Sequence, residues 1–285
     1  MISDYRCFFC FARAFEKLIT RHGFSVEEGN LFTHEMISLF FKKWGSLTMP
    51  EFSREMHYIL RRHSGNPDPY STEKKFSNDQ ALEMVPELME IIGNSPDKFS
   101  TALRIAIAGN IVDFAANDDF NLKETVNKAL SSDLAIDHST ELRNRIRKAG
   151  QVLYLGDNAG EIVFDRLFIE NIGHGDLTFA VRGGPAINDV TMDDAIYTGM
   201  TEAAGVISTG YDAPSVIPEK SSETFRELFR KADVIISKGQ GNLEGLIQLN
   251  DDRIFFLLMA KCETVAEYLK VPRGSKVVVN PQLME

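Results

Sequence analysis

Cysteine is scarce: Cys7, Cys10 and Cys262 are the whole complement, an odd and small number that excludes a disulfide framework. No run reaches the ~18 consecutive apolar residues of a membrane span, so no membrane partner is expected. The opening MISDYRCFFCFARAF has no basic stretch ahead of an apolar core and no small-residue cleavage site, which points to the cytoplasm. Basic residues are outnumbered, 31 Lys and Arg against 41 Asp and Glu, for a formal net charge of −10. That balance excludes a nucleic-acid partner held by bulk electrostatics. No H-E-x-x-H and no G-x-S-x-G occurs, so a histidine-based zinc hydrolase and a serine hydrolase are both set aside.

What is present is ordinary globular material: 44% apolar and 25% charged residues over 285 positions, enough chain to bury a sizeable core without staples. The acidity is uneven. Residues 1–150 carry 19 basic and 21 acidic side chains, net −2, leaving 12 and 20, net −8, for the remainder. Cys7-Phe-Phe-Cys10 has the spacing of half a metal site or a redox pair. No second Cys or His pair stands at useful spacing, and the motif opens a helical pattern, so ordinary buried thiols are the plainer reading.

The pattern changes near Gly150. Before it, apolar residues recur at spacings of three and four over Cys7–Arg21, Val26–Trp44, Pro50–Arg62, Ser71–Ile92, Asp97–Ala116 and Thr140–Ala149, which predicts helices. Pro86 is expected to kink or split the fourth. After it, short apolar runs at Gln151–Leu155, Leu177–Val181, Gly205–Ile207, Val234–Ser237, Arg253–Leu258 and Lys276–Val279 alternate with amphipathic segments. These segments are Glu161–Ile172, Asp189–Thr198, Ser222–Lys231, Leu243–Leu249 and Glu263–Leu269. Continuous apolar strands separated by helices predict a Rossmann-like, mostly parallel α/β sheet with helices on both faces. The expected organisation is an all-helical domain over residues 1–149 and an α/β domain over 150–285.

In open α/β sheets ligands bind beyond the carboxyl ends of the strands, and three strand-end loops carry suitable residues. Gly156-Asp157-Asn158-Ala159-Gly160-Glu161 sets a carboxylate beside an amide oxygen, hard donors of the kind Mg²⁺ or Mn²⁺ prefers. The same residue types also cap helices. Arg182-Gly183-Gly184-Pro185-Ala186-Ile187-Asn188-Asp189 offers close backbone approach at its glycines and a second carboxylate at Asp189, or else a turn with an N-cap. Asp193 and Asp194, a turn further on, read as solvated helix charges. Ser237-Lys238-Gly239-Gln240-Gly241-Asn242 places a lysine among glycines, suited to a phosphate, with Asn242 available to cap the next helix; an exposed surface lysine is the alternative. Together the loops describe a phosphate-ester site in which two carboxylates and an amide hold a divalent cation faced by Lys238.

These motifs resemble a known family. D-N-A-G-E-I-V-F-D (157–165), R-G-G-P-A-I-N-D-V-T (182–191) and K-G-Q-G-N-L-E (238–244) are similar to those of the metal-dependent damage-control phosphatases, formerly "domain of unknown function 89". C-x-x-C near the start and A-G-N-I-V-D (108–113) point to its cysteine-bearing, mainly microbial subgroup. The resemblance covers nearly the whole chain. It implies hydrolysis of phosphate monoesters of small or damaged metabolites, sugar phosphates or cofactor-related phosphates, with Mn²⁺, Co²⁺, Ni²⁺ or Mg²⁺. Carried over by motif, Asp157, Asn158 and Asp189 would ligate the metal. Lys238, with Gly183, Gly184 and Gly239, would hold the phosphate, and Asn110 and Asp113 would close the site from the helical half. A non-catalytic protein binding a metal or phosphometabolite through the same loops is the rival expectation. A nucleotide-dependent transferase is disfavoured by the missing glycine fingerprints.

Overall fold

The structure is a computed structural model that describes residues 4–109, 130 and 132–284. Helices α1 (Tyr5–Arg21), α2 (Val26–Lys43) and α3 (Met49–Ser64) come first. Asp4 caps α1, and reciprocal capping boxes, Ser25 with Glu28 and Thr48 with Glu51, start the next two, satisfying amide groups that a helix start leaves without partners. Their apolar stripes meet in a core built on Phe15, Phe32, Phe40, Phe52, Met56 and Leu60. The helical stretch after it breaks at Met84 into α4 (Ser71–Glu83) and α5 (Val85–Asn94). Pro86 lies in the first turn of α5, where a missing N–H costs nothing. The next helix, α6 (Lys98–Gly109), is largely buried.

The described residues form one seven-stranded sheet from β1 (Ile136–Asp137), β2 (Val152–Leu155), β3 (Leu177–Val181), β4 (Gly205–Ser208), β5 (Val234–Lys238), β6 (Ile254–Met259) and β7 (Lys276–Val279). Its order is β1-β7-β6-β5-β2-β3-β4. All neighbours are parallel except β6 and β7. The chain winds from β2 out through β3 to β4, then returns to place β5 on the other side of β2. The gap between the ends of β2 and β5 is therefore the topological switch point, where such sheets bind ligands.

Helices cover both faces: α7 (Ser139–Lys148), α8 (Glu161–Ile172), α9 (Met192–Tyr197), α10 (Met200–Ala203), α11 (Glu223–Lys231), α12 (Gly239–Leu246) and α13 (Glu263–Leu269). Along β2, Val152 and Tyr154 enter the core shared with α5, α6, α7 and α8, while Leu153 and Leu155 enter the one shared with α11, α12 and α13. A strand wholly buried on both faces has to read as a continuous apolar run.

The change of pattern at Gly150 is not a boundary between two cores. Helices α5, α6 and α7 supply one cover of the sheet, and α1 to α3 hold a separate core. Helix α6 lies so close to α8 that a β-carbon on Gly109 would stand 2.6 Å from the Phe164 ring. Among the described residues no helix is long and apolar enough to cross a membrane.

Candidate active site at the strand switch point

The loops after β2 and β3 are stitched together by main chain. Val190 N–H donates to the Asp157 carbonyl at 2.8 Å and Ala159 N–H to the Asn188 carbonyl at 2.9 Å, so Asn158 and Asp189 face each other as an isolated antiparallel pair. This bridge brings Asp157, Asn158 and Asp189 to one place. Gly160, in the left-handed region at φ 77°, turns the chain into α8, and its N–H donates to Asn78 Oδ1 at 2.7 Å.

Arg182, at the end of β3, spans the two aspartates. Its Nε donates to Asp189 Oδ2 at 2.6 Å and its Nη2 lies 3.6 Å from Asp157 Oδ1. The guanidinium is buried, and Nη1 and Nη2 make no hydrogen bond. Asn158 Nδ2 donates to Asp157 Oδ2 at 2.8 Å and to Glu161 Oε2 at 3.2 Å.

Lys238 ends β5 completely buried. Its ammonium donates to Glu161 Oε1 at 2.6 Å, to Asp165 Oδ1 at 2.5 Å and to the Ala106 carbonyl of α6 at 2.9 Å. Three donors meet three acceptors. An exposed surface lysine is thus ruled out, and its three hydrogens go to two protein carboxylates and a main-chain carbonyl. Asp165 also accepts from the Tyr154 hydroxyl at 2.7 Å.

Four buried carboxylates, Asp157, Glu161, Asp165 and Asp189, therefore share this region with two buried cations, Arg182 and Lys238. Burial and the neighbouring charges of Asp189 and Glu161 push the Asp157 carboxyl well above its usual range. Burial raises Asp189 to about 6 against the pull of Arg182, and raises Asp165 to about 7 against that of Lys238. Burial alone would lower the Lys238 ammonium, but Asp165 and Glu161 reverse this and raise it. Among the described residues no three His, Cys, Asp or Glu side chains converge as a metal site. The oxygen donors gathered at the bridge are the Asp157 and Asp189 carboxylates and the Asn158 amide.

The glycines serve different ends. Gly183 N–H donates to the Tyr211 carbonyl at 2.9 Å, and a β-carbon there would lie 2.3 Å from Tyr211 N, so this residue allows two loops to touch. Gly184 lines a cavity of about 510 Å³ with Arg182, Lys74 and Thr191. Gly239, at φ 76°, lies against the Asp157 carboxylate. Asn242 sits inside α12 instead of capping it, donating to the Gly156 and Lys238 carbonyls and accepting from Val216 N–H. Asp194 is not a solvated helix charge: it is buried, pairs with Lys74 at 2.7 Å and closes a capping box with Thr191, which starts α9 at Met192. Asn110 and Asp113 lie outside the described residues.

Sequence reasoning assigned no role to Arg182, Glu161, Asp165, Asn78 or Lys74. Glu161 and Asp165 stand four apart on one face of α8, a spacing visible in the chain. The long-range partners Asn78 and Lys74 have no such signal.

A mostly parallel, doubly covered sheet with polar loops converging at its switch point is the architecture in which small-molecule ligands bind beyond the strand ends. Residues 3–277 match the damage-control phosphatase ARMT1-like domain, and the chain belongs to that family. It is 36% identical over 283 residues to damage-control phosphatase PH1575 of Pyrococcus horikoshii, covering 96% of each protein. It is 33% identical over 231 residues to a damage-control phosphatase of Archaeoglobus fulgidus, covering 79% of this chain and 78% of the other. The crystal structure of the Pyrococcus horikoshii protein, of the same family under its earlier name DUF89, aligns with a TM-score of 0.89 at 35% identity. That alignment covers 98% of this chain and 99% of the other.

Proposed function

We propose that this protein is a divalent-metal-dependent phosphatase acting on phosphate monoesters of small or damaged metabolites, with Asp157, Asn158 and Asp189 as the metal ligands for Mn²⁺, Co²⁺, Ni²⁺ or Mg²⁺. The observation that carries it is the charge of the cluster: four buried carboxylates against two cations at the switch point of the sheet. Buried like charges suppress one another's ionisation unless a cation joins them, and two carboxylates with an amide are the hard oxygen donors such a cation takes. When bound, the metal supplies charge to polarise phosphoryl oxygens and lowers the pKa of a water molecule.

The chain's own groups do the positioning. Arg182 fixes Asp189 through Nε, and its Nη1 and Nη2 retain hydrogen-bonding capacity for phosphoryl oxygens. Lys238 pairs with Glu161 and Asp165 and keeps its positive charge beside the ligand set. Preorganised charge of this kind favours the transition state over the ground state.

The test is phosphate release from phenyl phosphate with each of the four metals, with and without chelator. The expected result is metal-stimulated, chelator-sensitive turnover that falls at least about a hundredfold in Asp157→Ala. Turnover indifferent to chelator, or surviving intact in Asp157→Ala, overturns the proposal.

A further inference from the structure

A second cavity, of about 550 Å³, is lined by residues that neighbour the candidate active site in the chain. Two of its lining segments run directly into the candidate active site. Gln240 and Gly241 follow Gly239, which touches Asp157, and Ile187 lies two residues before Asp189. Phe11, Met49 and Pro214 make the cavity partly apolar, and the thiols of Cys7, Cys10 and Cys262 all line it. The fold thus brings Cys262 to the same cavity as Cys10 and Cys7, which stand 252 and 255 positions before it in the chain.

The charged lining is four cations, Arg6, Arg13, Lys261 and Arg273, and two carboxylates, Glu244 and Glu263. Arg6 is committed to Asp4 and Glu267. Arg273 donates through Nε to the Lys261 carbonyl and lies 3.9 Å from Glu263. Glu244 accepts from Gln240 at 2.8 Å. Lys261 and Arg13 make no ion pair among the described residues, and both are exposed to solvent at the rim. Lys261 is close enough for its charge to favour the ionised form of Asp157.

We infer that this cavity receives the leaving group of the substrate, and that the preferred substrate carries a second anion, a carboxylate or a second phosphate, seated on Lys261 and Arg13. The inference rests on the phosphatase reading for what occupies the Asp157 side. The apolar wall suits a carbon skeleton between the two anions, and the volume is that of a small-metabolite site. The two unpaired cations give specificity by charge complementarity at one end only.

Three aryl esters test it: phenyl phosphate, 4-carboxyphenyl phosphate and 1,4-phenylene bisphosphate. Two exposed ion pairs, each worth a few-fold, should lower KM for the second or third by about tenfold relative to the first. Whichever of the two gains more identifies the tail as carboxylate or phosphate. The double variant Lys261→Gln, Arg13→Gln should lose that preference, with the ratio of KM values between the esters falling to about one. Equal KM for all three esters, or a preference that survives the double variant, overturns the inference.

A second arm needs no turnover. Cys10 is exposed and lines the cavity, so its alkylation by iodoacetamide, read by mass spectrometry, should slow with 4-carboxyphenylphosphonate and not with phenylphosphonate. The double variant should show no such protection, and absence of protection in the wild type counts against the site. Protection without any metal-stimulated turnover would support the anion site and overturn the phosphatase reading, so the two failures are distinguishable.

Discussion

The α-carbon of Gly239 lies against the carboxylate of Asp157, so closely that a β-carbon built on it would stand 1.8 Å from Oδ2. Residue 239 also has φ 76°, a conformation that costs an L-residue about 1–2 kcal/mol. Gly239→Ala must therefore move either the Lys238–Gln240 loop or Asp157 itself. The expected outcome is a folded protein whose metal-stimulated turnover of phenyl phosphate falls about a hundredfold, the usual consequence of a misplacement near 1 Å. Wild-type turnover in this variant would show that the position of Asp157 is immaterial.

Lys238 neutralises carboxylates that water cannot reach. Lys238→Met leaves Glu161 and Asp165 buried beside each other without their cation, and should cost about 3–5 kcal/mol in urea unfolding. Adding Asp165→Asn to that variant should recover part of the loss, because the remaining charge is then single. A double variant no more stable than Lys238→Met would contradict the assignment of the ion pair.

Metal addition should release protons. Asp189, raised to about 6, and Asp157, raised by burial and by Asp189, both hold protons in the metal-free protein at mildly acid pH, and ligands must ionise to bind. Titration calorimetry with Mn²⁺ at pH 6 in two buffers of different ionisation enthalpy should show net proton release, and the apparent affinity should weaken as pH falls below 6. A buffer-independent heat would argue against these ligands.

His57 is buried, with Nδ1 at 2.7 Å from the Ser53 carbonyl and Nε2 at 3.1 Å from the Tyr70 hydroxyl, and burial lowers its pKa to about 4. Between about 4 and its unfolded value of 6.5 the unfolded chain binds the extra proton, so this residue's contribution falls as pH drops through that window, by about 3 kcal/mol in all. Asp189 acts in the opposite sense. With its folded pKa raised, its contribution in the metal-free protein falls as pH rises from about 4 toward 6. Denaturation midpoints of wild type and His57→Gln across pH 4–7 separate the two, since the variant should keep only the second trend.

Much of the α/β half is legible because strands buried on both faces cannot avoid being continuous apolar runs; β3 and β7 fall on the expected residues and β2, β4, β5 and β6 within one of them at their ends. β1 is invisible in sequence because two residues make no pattern, and the antiparallel pairing of β7 leaves no trace in a run that is apolar either way. Helix α12 starts at Gly239, four residues before the expected Leu243, because glycines there read as loop while Asn242 locks the turn with its side chain. Asp157, Asn158 and Asp189 are brought together as the motifs suggest. The surroundings of Lys238 were not readable, since its partners come from α8 and from a main-chain carbonyl of α6 that no residue type announces.

That carbonyl, Ala106 O, receives the third hydrogen of the buried ammonium. A main-chain acceptor is supplied equally well by almost any amino acid, so the side chain at position 106 can drift as far as its packing allows without disturbing Lys238. The rise and rotation of α6 cannot drift, because a helix advanced by one residue presents its next carbonyl about 100° around the axis. Descent in this part of the chain is therefore constrained in length rather than in letters: substitutions along α6 should be tolerated where insertions of a single residue are not.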